Sequence, residues 1–162
     1  MIQIREQNSK LDVTDLARIE DKMGRPLPEA YRAFLLENNG GRPNPDTIDI
    51  PEAHFSPTDV KIFYGLYDEI DAGNLLWRLD WLEGCLENHL LPIAGDSGAN
   101  SFFLVLDDED YGNVYYFDAA EIPPRPYFVA KDFNEFLSKI YEYKDDEDDE
   151  QPLPASSSNA DS

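Results

Sequence analysis

The stretch that decides the fold is IEDKMGRPLPEAYRAFLLENNGGRP, residues 19–43. It begins inside a predicted helix over residues 14–23, for which Thr14 is the expected cap and Gly24 the expected end. Pro28 suits the first position of a second helix, where its missing N–H costs nothing. That helix carries a core-facing stripe, formed by Ala30, Tyr31, Phe34 and Leu35. The stretch therefore predicts two short helices joined by a proline-containing turn.

The rest of the chain predicts a mixture of helices and short strands. Strands are expected over residues 47–50, 61–67, 90–94, 102–106, 114–117 and 127–130, where apolar residues run together or alternate. A helix is expected over residues 74–82, with Asn74 as its cap. Asp132 and Glu135 have the spacing of a capping box, which predicts a last helix ending near Lys144.

Length and composition favour a single folded domain. The chain has 162 residues, of which 41% are hydrophobic, and this suffices for a core without a metal or disulfide framework. Cys85 is the one cysteine, so we predict a buried thiol and a reducing compartment. We find no signal-peptide pattern at the N-terminus and no apolar run of about 18 residues. We therefore expect a cytoplasmic protein with no membrane association.

The charge of the chain is strongly negative, with a formal value of −21. Residues 145–162 contain seven acids and no Lys or Arg, and we predict that they form an acidic disordered tail. Residues 1–144, the predicted folded domain, then keep 27 of the 34 acids and all 13 bases, a net charge of −14. Such a domain repels phosphate backbones and anionic lipids, so we expect a basic protein partner and no nucleic acid. The alternative is that the acidity serves only solubility.

The order of the motifs resembles the SUKH superfamily, which includes the SMI/KNR-type proteins. The first half of the resemblance is the helix–Gly–Leu-Pro–helix–Gly-Gly unit, and the second is the LPIAGDSGAN stretch, followed by a strand, an acidic hairpin, another strand and a closing helix. It covers roughly residues 12–143. The matching positions are structural: Leu27, Pro28, Tyr31, Gly40, Gly41, Pro92, Gly95, Asp96 and Gly98.

The resemblance implies both a fold and a role. The fold would be α+β, a single domain with a largely antiparallel sheet and helices packed against it. Bacterial members of the superfamily look like immunity proteins, which bind and silence a cognate toxin, often a nuclease. Fungal relatives regulate cell-wall synthesis, so a regulatory scaffold without a toxin is the alternative. Neither role needs catalysis or a cofactor.

The stretch GDSGAN, residues 95–100, contains the four residues that surround the nucleophilic serine of chymotrypsin-like proteases. Such a site needs a histidine base beside the serine and a buried aspartate. The only histidines are His54, in a proline-rich loop, and His89, eight positions before Ser97. We therefore predict a turn between two strands, in which Asp96 accepts hydrogen bonds from its own turn and the two glycines supply permissive φ angles.

Two predicted loops hold the acids that we expect to meet a basic partner. These candidate partner-binding residues are Asp107, Asp108, Glu109, Asp110, Asp68, Glu69 and Asp71. A calcium site in the loop over residues 107–113 is disfavoured, since Tyr111 replaces a ligand, Asp118 replaces the bidentate Glu, and the flanks look like strands. A solvated hairpin loop is the preferred interpretation.

The other candidate sites have little support in the sequence. The two histidines lack the spacing of zinc ligands, Cys85 has no thiol partner, and Gly40-Gly41 follows a helix instead of opening one. We therefore expect no metal, no cofactor and no enzymatic activity. The i, i+4 pair Trp77 and Trp81 is predicted to pack in the core, and a binding hot spot on the surface is the alternative.

Overall fold

The computed structural model describes residues 2–82 and 84–144, and the predicted tail at 145–162 lies outside this part. The helices are α1 (Val13–Met23), α2 (Glu29–Glu37), α3 (Leu75–Trp81) and α4 (Phe133–Ser138). The strands are β1 (Gln3–Arg5), β2 (Arg42–Asn44), β3 (Thr47–Ile48), β4 (Thr58–Asp59), β5 (Ile62–Phe63), β6 (Leu90–Gly95), β7 (Ser101–Val105), β8 (Val114–Phe117) and β9 (Pro126–Ala130). The predicted single-domain α+β fold is confirmed.

The main sheet has five antiparallel strands in the order β5-β6-β7-β8-β9. In the β6–β7 pair, Gly95 faces Ser101 at one end and Leu90 faces Val105 at the other. The β6–β7 turn and the β7–β8 loop therefore lie at opposite ends of the sheet. Two smaller pairs, β1–β2 and β3–β4, complete the described strands, and a bridge from Gly41 to Phe63 joins the first of them to β5.

The helices bury an apolar face against this sheet. Leu16, Ile19 and Met23 of α1 are buried, as their i, i+3, i+7 spacing predicts. Between α2, α4 and the sheet lies a group of aromatic rings with centroids about 5–6 Å apart, formed by Tyr31, Phe34, Phe63, Phe133 and Phe136. Edge-on and tilted pairs at this distance add a little to the stabilisation that burial provides.

The ends of α1 and α4 differ from the prediction. The cap of α1 is Asp12 instead of Thr14, because Asp12 and Asp15 each accept a hydrogen bond from the other's backbone N–H. Helix α4 ends at Ser138, well before Lys144. Its continuation is diverted because Tyr141 exchanges both backbone hydrogen bonds with Thr47.

The predicted strand over residues 61–67 contributes only Ile62 and Phe63 to the sheet. Beyond them Gly65 forms a parallel bridge with Asn74, so the chain leaves β6. Asn74 does begin α3, but its side chain makes no cap bond and instead exchanges hydrogen bonds with the backbone of Asp68. These contacts override the strand preference of residues 64–67 and form the loop that carries one of the predicted acidic groups.

Candidate protein-binding surface

One polar stripe of α1 contacts two distant segments of the chain. Asp15, Arg18 and Lys22 recur at i, i+3 and i+7, and therefore lie on one side of the helix. The hydroxyl of Tyr67 donates to Asp15 at 2.6 Å and accepts from Arg18, and the ammonium of Lys22 lies 3.1 Å from a carboxylate oxygen of Asp80. The bond from Tyr67 holds the pKa of Asp15 below its usual value.

Just beyond α1 the stripe ends at a further ion pair. The guanidinium of Arg25 lies 2.6 Å from the carboxylate of Asp108, in the loop between β7 and β8. Tyr111 of the same loop donates to the carbonyl of Pro26 at 2.7 Å. The β7–β8 loop is therefore fastened to the turn between α1 and α2.

These contacts place the two predicted acidic loops near opposite ends of α1. The loop at 68–71 directly follows Tyr67, which touches the first half of α1, and the loop at 107–110 touches the residue two positions past its end. An 11-residue helix is about 16 Å long, so the loops flank one helix at that order of separation. We call α1 with these two loops the acidic surface.

The carboxylates of the acidic surface differ in how far they are free to meet a partner. Asp68 is turned inward, where it accepts from Asn8 and from the backbone N–H of Ile70. Asp108 is paired with Arg25, although its side chain remains 89% exposed. The other predicted acids are exposed and form no ion pair within residues 2–82 and 84–144: Glu69, Asp71, Asp107, Glu109 and Asp110.

The loop at 107–113 is the hairpin loop that the sequence predicts. It joins the antiparallel strands β7 and β8, and the N–H of Gly112 donates back to Val105 at 2.8 Å. Gly112 has a φ of 93°, a conformation that favours glycine. In the part of the chain that the structure describes, no group of three His, Cys, Asp or Glu side chains is arranged to hold a metal ion.

GDSGAN is also a strand-to-strand turn, as predicted. The buried carboxylate of Asp96 accepts from the backbone N–H groups of Gly98 and Asn100 and from the hydroxyl of Tyr116 at 2.5 Å. The hydroxyl of Ser97 donates to Asp59, an acceptor that cannot act as the histidine of a serine-protease triad. The turn therefore ties β4, β6 and β8 together.

The prediction that the two glycines of this turn supply permissive φ angles is wrong. Neither Gly95 nor Gly98 has a positive φ, and the left-handed position is taken by Ala99 at 66°. Gly95 is needed for space, since a side chain there would collide with the hydroxyl of Tyr64. Glycine here permits close packing across the sheet instead of an unusual backbone conformation.

The predicted core packing of the tryptophan pair is also wrong for Trp81, which is 66% exposed. The buried face of α3 is formed by Leu75 and Leu79. Positions 77 and 81 each lie two residues beyond one of these leucines, which places them about 200° around the helix, on its outer side. That offset is the sequence signal that identifies the exposed Trp81 and the half-buried Trp77, and it outweighs the i, i+4 spacing of the tryptophans.

A groove of about 690 Å³ adjoins the acidic surface and shares Asp68 and Glu69 with it. Its wall also carries two arginines. Arg42 is paired with Glu6, and Arg78 donates to the carbonyl of Ala72. The groove therefore has mixed charge and does not extend the acidic surface as a single negative field.

The comparisons with known proteins identify a family but no individual relative. In the described part of the chain no helix has both the length and the apolar character to cross a bilayer. No curated protein matches the chain. A family model, described as the SMI1 / KNR4 family (SUKH-1), matches residues 10–139, which include α1, the turn at 95–100 and α4. The chain belongs to the SMI1 / KNR4 family (SUKH-1).

Proposed function

We propose that this protein is an immunity-type binding protein, which neutralises a basic toxin domain by covering it. The observation that carries the proposal is the set of exposed, unpaired carboxylates at both ends of α1, on a domain with a net charge of −14. Lys and Arg that would contact phosphates in a nuclease are suitable partners for such a surface. Membership of the SUKH group is consistent with this role.

Occlusion requires no covalent chemistry from the protein. The acidic surface would pair with the cations of the partner's substrate groove, and the negative field would accelerate their encounter. Rapid capture matters when a single free toxin molecule is harmful. The ion pairs of Lys22 with Asp80 and of Arg25, two positions past α1, with Asp108 help to order the surface before binding, which lowers the cost of ordering it on association.

The test is co-purification with the product of the neighbouring gene at low and high salt. We expect a complex that weakens as salt rises, and protection of cells that express the partner. If the product of the neighbouring gene does not bind and cells that lack this protein still grow, a regulatory scaffold is favoured instead. Turnover of a substrate by the purified protein alone would contradict both roles.

A further inference from the structure

The exposed end of α3 carries an ordered aromatic stack. The ring of Trp81 lies parallel to that of Trp77, with an interplanar angle of 13° and centroids 5.9 Å apart. This is within the range of offset stacking, which fixes the orientation of the outer ring. Trp81 therefore presents a large apolar ring to solvent in a defined position, the property of residues that dominate binding energy at protein interfaces.

The stack already includes a cation on its inner side. The guanidinium carbon of Arg78 lies 4.8 Å from the ring centroid of Tyr64, which is buried, and 6.0 Å from that of Trp77. The contacts thus run from Tyr64 in the core through Arg78 and Trp77 to Trp81 in solvent. Aromatic faces attract cations because of their negative quadrupole, and tryptophan does so best.

The acidic neighbour of Trp81, Asp80, can accept a hydrogen bond from an incoming cation. Asp80 lies three positions after Trp77, so it shares this side of α3, and its side chain is 63% exposed. Its ion pair with Lys22 joins α3 to α1, so the stack is continuous with the acidic surface. The net charge of −14 over residues 1–144 favours the approach of cationic segments to the domain as a whole.

We propose that Trp81 is the anchor for an arginine side chain of the protein partner, which stacks on its outer face beside Asp80. The planar guanidinium suits this position better than the ammonium of lysine, since it stacks and donates to a carboxylate together. This inference rests on the proposed function and names the contact that would supply affinity, whereas the acidic loops supply attraction.

The experiment uses a nine-residue peptide of alternating arginine and glycine, and the same peptide with neutral citrulline in place of arginine. Trp77→Phe leaves Trp81 as the single tryptophan, and Trp81→Phe leaves Trp77. We expect the arginine peptide to change the emission of the Trp77→Phe variant saturably and that of Trp81→Phe little. Trp81→Ala should weaken peptide binding about 3- to 30-fold. The citrulline peptide should have no effect.

The outcomes separate this inference from the proposed function. If Glu109→Lys with Asp110→Lys weakens peptide binding while Trp81→Ala does not, the acidic surface is supported and the anchor is disproved. An unchanged emission of Trp81 at saturating peptide also overturns the anchor. Because Trp81 is mostly in solvent, Trp81→Ala should unfold at the same temperature as the wild type, and Trp81→Phe provides a second folded variant.

Discussion

The side chain of Asn39 pairs with both backbone groups of Leu66, as a neighbouring strand would. Its carbonyl oxygen accepts from the N–H of Leu66 at 2.8 Å, and its amide donates to the carbonyl of Leu66 at 2.9 Å and to that of Ser9 at 2.6 Å. Asn39 is only 2% exposed, so these bonds are shielded from water. The end of α2 therefore fixes the segment that leads into Tyr67 and the acidic loop at 68–71.

Replacing Asn39 by alanine should lower the free energy of unfolding by about 2–4 kcal/mol, because it leaves buried backbone groups unpaired. The neighbouring Asn38 is the matched control, since its side chain accepts only one exposed bond, from Gln7. Asn38→Ala should cost less than about 0.5 kcal/mol. Urea denaturation of both variants checks the difference, and equal losses would show that the Leu66 contact is unimportant.

Reversing the unpaired acids Glu109 and Asp110 to lysine should slow association with the partner about tenfold at low salt. The dissociation rate should change less, and the difference from the wild type should shrink at high salt as charges are screened. Asp46→Lys with Glu142→Lys is the control, because both residues are exposed and lie outside the acidic surface. Stopped-flow or surface-binding kinetics measure both. Equal slowing by the control pair would mean that only net charge matters.

Two buried tyrosines should respond oppositely to replacement by phenylalanine. The hydroxyl of Tyr31 has no hydrogen-bond partner among the described residues, whereas that of Tyr116 donates to Asp96. Tyr31→Phe should therefore raise the free energy of unfolding by about 1–2 kcal/mol, and Tyr116→Phe should lower it by about 1–3 kcal/mol. Urea denaturation decides, and destabilisation by Tyr31→Phe would reveal an unrecognised partner.

Tyr31→Phe should also differ from the wild type at alkaline pH. Burial raises the pKa of Tyr31 above its ordinary value of 10.0, so the folded protein resists ionisation of this group more than the unfolded chain does. The free energy of unfolding is therefore insensitive to this titration below pH 10, where Tyr31 is neutral in both states, and falls as pH rises from 10 towards the folded pKa. Tyr31→Phe should therefore retain more of its stability above pH 10 than the wild type. Denaturation at a pH on each side of 10 tests this.

Substitutions in GDSGAN should separate its structural anchor from its serine. Asp96→Ala should destabilise the protein by about 3–5 kcal/mol, because it removes the acceptor for Tyr116, Gly98 and Asn100. Ser97→Ala loses one exposed hydroxyl bond to Asp59 and should cost less than about 1 kcal/mol. Partner binding by Ser97→Ala should be unchanged. A hydrolase activity that disappears in this variant would restore the nucleophile interpretation.

Local patterns predicted the elements whose geometry depends on nearby residues. The buried apolar face of α1, the break at Gly40-Gly41 and the hairpin between β7 and β8 follow from residue spacing and turn chemistry. The structure confirms all three. The early end of β5 could not be predicted in this way. It depends on Asn39, which lies 27 positions before Leu66, and on the bridge of Gly65 to Asn74.

The sequence predicted only part of the candidate surface. Composition and loop signals identified the acids, but not that Asp68 is turned inward or that Asp108 pairs with Arg25, 83 positions away. Nor did they show that one loop follows a contact with α1 while the other contacts the turn just past its end. The exposure of Trp81 could have been predicted, since Leu75 and Leu79 define the opposite side of α3.

In the hairpin between β7 and β8, the residues that hold the loop in place differ from those that face solvent. Its frame is secured by the contacts of Arg25 and Tyr111, whereas the side chains of Glu109 and Asp110 project into solvent. Under the proposed function, mutations at these two tip positions would change what the protein recognises, with little effect on whether it folds. Preference for a new partner can therefore evolve at the tip while the architecture beneath it stays the same.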